Sequence, residues 1–102
     1  MKFNKLVRDK IPELIQAGGK TPLVRILNDD EYTFALERKL DEEVGEFRRD
    51  RNLEELADIL EVVYALTENL GYSKEDLLEC NQRKHAERGG FRTRVFLISN
   101  EG

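Results

Sequence analysis

The break Asp50-Arg51-Asn52 separates two long stretches whose apolar residues recur at helical spacing, and it constrains the fold more than any other feature. Upstream, Asn28-Asp29-Asp30 supplies an N-cap, and a helix to about Arg49 is striped by Leu36, Leu40, Val44 and Phe47. Downstream, Asn52 caps a second helix from Leu53 to Leu70, striped by Leu56, Ile59, Leu60, Val63 and Leu66 and stopped by Gly71. So short a connection makes the two helices antiparallel neighbours, which is half of a four-helix bundle. A chain of 102 residues has a small core. Dimerisation is therefore expected to complete the bundle.

The rest of the chain reads as one domain over residues 1–102, without repeats, linkers or low-complexity tracts. Pro12 sits in the first turn of a short helix, IPELIQAGG, that closes at Gly18-Gly19. Ser73 and Asp76 form a capping box that opens another helix, ending at Gly89-Gly90. TPLVRIL (residues 21–27) and FRTRVFLI (91–98) read as short strands, expected to pair as a two-stranded ribbon beside the helices. The expected class is mostly α.

Charge is unevenly placed. The net charge is −4, yet residues 29–61 hold 13 Asp/Glu against 5 Lys/Arg, and residues 81–94 hold 5 Lys/Arg against one Glu. An acidic chain is a poor general binder of nucleic-acid polymers. An acidic middle with basic ends suits a polyanion that carries a metal. One cysteine, Cys80, excludes an internal disulfide and fits a reducing compartment. Met1–Lys10 is charged without an apolar core, and no apolar run reaches a membrane span, so a cytoplasmic protein is expected.

Helical geometry sorts the carboxylates. With Leu40 at zero, Glu43 lies about 60° off the apolar stripe, Glu46 about 120° and Glu42 nearly opposite, at roughly 100° per residue. On the second helix, Glu55 falls among Ile59, Val62 and Leu66, with Asp58 at the border of that face and Glu54 and Glu61 pointing elsewhere. Glu43/Glu46 and Glu55/Asp58 thus form two i,i+3 pairs beside the buried faces of adjacent helices. Like charges so placed repel. A hard divalent cation, Mg²⁺ or Mn²⁺, removes that repulsion. The plainer reading is a solvated acidic face, which the inward placement of both pairs disfavours.

On the helix after Ser73, Leu77, Asn81, Lys84 and Arg88 share one face that runs from apolar to basic. Its cations suit phosphate oxygens, although neutralising nearby acids is an equal reading. Arg8 and Lys10 are further candidates for substrate binding. His85 lies off that face and reads as a surface residue. Cys80 reads as a buried, inert thiol.

With these residues in place, the chain resembles the all-α nucleoside triphosphate pyrophosphohydrolases, which include MazG-type and phosphoribosyl-ATP pyrophosphohydrolase-like proteins. The motif pattern EExxE then ExxD stands here as Glu42-Glu43-Val44-Gly45-Glu46 and Glu55-Leu56-Ala57-Asp58. The run ELADILEVVYAL and the end segments FNKLVRDKIPELI and KHAERGGFRTRVFL resemble a small single-domain branch. Only eight residues separate Glu46 from Glu55, fewer than in typical MazG-type members. The resemblance implies a helical homodimer or homotetramer with Mg²⁺ on Glu43, Glu46, Glu55 and Asp58. It further implies hydrolysis of a nucleotide between the α and β phosphates, releasing a monophosphate and pyrophosphate. Glu42 and Glu43 would be the catalytic carboxylates, and Asn81, Lys84, Arg88, Arg8 and Lys10 the substrate contacts. Two rivals stand beside this: a non-catalytic module that binds nucleotide and metal, and a purely structural dimerisation domain.

Overall fold

In a computed structural model, which describes residues 4–102, the chain is helical. Met1, Lys2 and Phe3, the start of the first family-like segment, lie outside the described residues. Four helices follow in order: α1 (Ile11–Ala17), α2 (Asp29–Asp50), α3 (Leu53–Asn69) and α4 (Lys74–Arg88).

Local signals set these boundaries. Asn28 caps α2 through a reciprocal box, its side chain accepting from the Glu31 amide at 2.9 Å while Glu31 accepts from the Asn28 amide at 3.1 Å. Arg25 locks the same Glu31 with two guanidinium bonds of 3.0 and 2.8 Å, holding its carboxyl down at about 2. At the other end Arg51 closes α2 in the left-handed region (φ 48°), its amide donating to the Phe47 carbonyl at 2.7 Å. Asn52 then caps α3 by accepting from the Glu55 amide at 3.0 Å. The tight break is as the sequence reading expects. Gly71 (φ 93°) follows α3, where a side chain would be strained, and the Ser73–Asp76 box opens α4.

The hairpin of α2 and α3 is antiparallel. Asn69, at the end of α3, donates to Thr33 at the start of α2 at 2.9 Å, while Glu43, farther along α2, meets Glu55 and Asp58 near the start of α3. Between them lie Leu36 and Val62, 2% and 7% exposed, the buried apolar core of the described residues. Among the helices α4 touches α3 alone, and Lys74 lies 4.2 Å from the centre of the Tyr64 ring at that junction.

Two expectations are corrected. Neither residues 21–27 nor residues 91–98 form a strand, and no ribbon joins them. Leu23, Ile26, Phe91, Phe96 and Ile98 are almost wholly exposed. A two-stranded ribbon is marginal without a face to pack on, and both segments lie mostly exposed, packed on none. The apolar face of α3 is also used differently. Ile59 and Leu66 are half-buried and Val62 buried, whereas Leu53, Leu56 and Leu60 face outward as a second apolar stripe. One neighbouring helix cannot cover both sides of a face this broad.

The result is an open body of 62 × 32 × 22 Å with a radius of gyration of 18.0 Å. A compact chain of this length has a radius of about 13 Å. The accessible surface is 9668 Å², against about 5,900 Å² for a compact monomer of this mass.

Candidate metal centre

The carboxylates of both motifs converge on the α2–α3 hairpin. Glu42, Glu43 and Glu46 bring one oxygen each within 4.8 Å of one another, and so do Glu43, Glu55 and Asp58. Glu43 belongs to both triads and is the most enclosed member, at 5% exposure. The helical spacing explains this. Glu43 sits beside the Leu36–Leu40–Val44 stripe, and Glu55 lies on the side of α3 that meets α2. The i,i+3 steps then place Glu46 and Asp58 along the same seam.

The local electrostatics are those of an under-compensated anion site. The Oε2 atoms of Glu43 and Glu55 are buried without a hydrogen-bond partner. Burial pushes the Glu43 carboxyl up, with a hydrogen bond that its protonated form donates to Glu46 adding to it and Lys39, 3.2 Å from Oε1, opposing. Burial also acts to raise Glu42. The hydrogen bond from Lys5 (3.0 Å) and the charges of Lys39 (3.6 Å) and Lys5 outweigh it, leaving Glu42 below the usual carboxylate range. An unpaired buried carboxylate oxygen is costly. Two of them, on separate helices within a cluster of hard oxygen donors, fit Mg²⁺ or Mn²⁺.

Glu42 differs from its expected outward placement. It is half-buried, and Lys5 and Lys39 draw it into the first triad. Arg8 is found at the site, donating to Asp58 at 2.7 Å with Glu61 at 3.8 Å. Asn81, Lys84 and Arg88 are exposed on α4, and no hydrogen bond or ion pair ties them to the carboxylates among the described residues. Arg88 instead lines an open surface hollow with His85, Gly89, Gly90, Arg92 and Thr93. Lys10 is exposed at the start of α1, its side chain making no cap. His85 is exposed as expected, and Cys80 is half-buried rather than buried.

Sequence reasoning missed Lys5 and Lys39. The i,i+3 and i,i+4 relation of Lys39 to Glu42 and Glu43 was a legible signal. Nothing local announces a bond between Lys5 and Glu42, 37 residues apart.

A protein from Mycolicibacterium smegmatis (strain ATCC 700084 / mc(2)155), described as uncharacterized, is 61% identical over 54 residues, or 49% of this chain. The chain covers 55% of that relative's length. No protein-family model matches the chain, and no solved structure does.

Proposed function

We propose that the chain is a Mg²⁺-dependent nucleotide pyrophosphohydrolase working as an assembly of identical copies. The observation that carries this reading is Glu43: 5% exposed, shared by both carboxylate triads, and with one oxygen unpartnered. A solvated acidic face does not bury a carboxylate oxygen without a partner.

Glu43, Glu46, Glu55 and Asp58 would hold the metal, with Glu42 completing the first triad, and Mn²⁺ fits the same donors. When bound, the ion lowers the pKa of a coordinated water and offsets phosphate charge. A carboxylate of the first triad, Glu42 or Glu43, would accept the proton of the attacking water as the bond between the α-phosphorus and its bridging oxygen breaks. Pyrophosphate leaves with the bridging oxygen, and a nucleoside monophosphate remains. Lys39, beside both glutamates, limits their mutual repulsion.

A second copy supplies the missing cover. Each chain exposes about 3,700 Å² more than a compact monomer of its mass, well above the roughly 800 Å² per partner of a standard interface. Leu53, Leu56 and Leu60 form the stripe against which a second hairpin completes the four-helix bundle, and Lys84 and Arg88 of α4 reach the phosphates within that assembly.

The test is product analysis on a panel of nucleotides with Mg²⁺. Monophosphate and pyrophosphate are expected in equal amounts. Orthophosphate alone, or no turnover while Glu55→Gln binds Mn²⁺ as well as the unaltered chain, sinks the reading. Tight nucleotide binding without turnover favours a non-catalytic binding module instead.

A further inference from the structure

The coil before α1 crosses the carboxylate cluster and touches both of its helices. Lys5 reaches Glu42 on α2 at 3.0 Å. Three residues on, Arg8 reaches Asp58 on α3 at 2.7 Å, with its other terminal nitrogen 3.8 Å from Glu61. Each of the two triads therefore has one member tied to this segment: Glu42 in the first and Asp58 in the second. The two buried, unpartnered oxygens belong to Glu43 and Glu55, which neither cation reaches.

These pairs are poor fold glue. The Lys5 and Arg8 side chains are 42% and 53% exposed, and ion pairs at such exposure contribute about 0–1 kcal/mol. What they do is hold one carboxylate oxygen in each triad, which a divalent cation would compete for. Two cations tethered to one short segment therefore compete directly with a metal for Glu42 and Asp58.

We propose that Lys5 and Arg8 are exchangeable counter-ions: they hold Glu42 and Asp58 in the metal-free protein and turn to the oxygens of a metal-chelated oligophosphate when that ligand binds. The inference rests on the metal–phosphate reading above and adds to it the residues that recognise the phosphate chain. Once their carboxylates face a metal, both side chains are charged, mostly solvent-facing and next to the incoming ligand. Arg8 then matches two phosphate oxygens with its planar fork, and Lys5 serves as a point charge. The ligand class is a pyrophosphate-type anion, because two cations on one segment, one beside α2 and the other beside α3, span more than one phosphate group.

This exchange has a signature that a purely structural strap lacks, since removing the cations moves two affinities in opposite directions. Mn²⁺ alone, followed by electron paramagnetic resonance, binds K5A/R8A about three-fold more tightly than the unaltered chain, because the competing cations are gone. Inorganic pyrophosphate, titrated calorimetrically into the Mn²⁺-loaded protein, binds K5A/R8A about ten-fold more weakly. K5R/R8K retains most of the pyrophosphate affinity. If both affinities fall together, or neither moves, the exchange is wrong. Failure of the unaltered chain to bind Mn²⁺ at all brings down the metal reading itself, and is thus separable from failure of the exchange. Should K5A/R8A not fold by circular dichroism, K5Q and R8Q singly carry the same comparison.

Discussion

The α2–α3 hairpin and the stretch from α4 to Ile98 differ in what their own chain gives them to pack against. In the hairpin, Leu36 and Val62 are buried, Thr67 bonds back to the Val63 carbonyl at 2.8 Å, and Lys5 and Arg8 from the coil before α1 lie against the acidic end. Beyond Cys80 every residue is exposed, including Phe91, Val95, Phe96, Leu97 and Ile98. Both regions have well-capped helices, so local helical signals do not separate them. The difference is amphipathicity. Each hairpin helix has an apolar face that the other can cover, whereas α4 offers Leu77 and little else to α3. A capped helix forms from local rules, but it is buried only where a complementary face exists.

That contrast can be broken or sharpened by experiment. The largest effect is expected at the cluster. Glu55→Gln should lower Mg²⁺-dependent turnover by more than about 100-fold, beyond the usual cost of losing an outer-shell group around a metal, in an assay of pyrophosphate release. In the hairpin core, Leu36→Ala should cost about 3 kcal/mol by chemical denaturation, and an equally large loss from Leu97→Ala in a dilute monomer would erase the contrast. The outward stripe is tested by Leu56→Asp with Leu60→Asp. If the proposed assembly forms, sedimentation equilibrium should show the unaltered chain as an oligomer and this variant as a monomer, and no change in mass would remove the second copy from that face.

Smaller effects follow from charge and capping. Glu43 has its folded-state pKa raised, by burial first and then by Glu46. Its ionised form therefore costs stability as pH rises through the raised value, and below the ordinary value near about 4.3 that cost is absent. Metal-free Glu43→Gln should consequently melt higher than the unaltered chain at pH 7 while losing Mn²⁺ binding. By the same sign, Mn²⁺ affinity of the unaltered chain should start to fall at a pH above the ordinary carboxylate range. Asn28→Ala should cost about 1 kcal/mol through loss of the α2 cap, read from urea denaturation.

Much of the hairpin was legible in the sequence because its signals are local. Asn28 and Asn52 mark helix starts by side chains that accept nearby amides, Gly71 marks an end by its conformation, and the i,i+3 spacing of Glu43/Glu46 and Glu55/Asp58 determines which carboxylates can share a seam. The expected ribbon failed for a related reason. A run of β-branched and aromatic residues states a preference, but a strand needs a partner and a face, and neither is encoded within the run. The misplacement of Glu42 has another cause. An angle around one helix says where a side chain starts, and Lys5, arriving from a distant segment, decides where its carboxylate is held.

By itself, then, the sequence determined the four helices, their stops and the antiparallel hairpin, since capping, period and a short loop act over a few residues. Only the tertiary structure decided that Glu43 is enclosed and shared between two triads. It also decided that Leu56 and Leu60 face outward, and that Lys5 and Arg8 rest on Glu42 and Asp58. Those outcomes depend on which surfaces meet between separate elements, for Lys5 and Arg8 across 37 and 50 residues of chain, where no local preference reaches and the balance of burial against solvation is settled by packing alone.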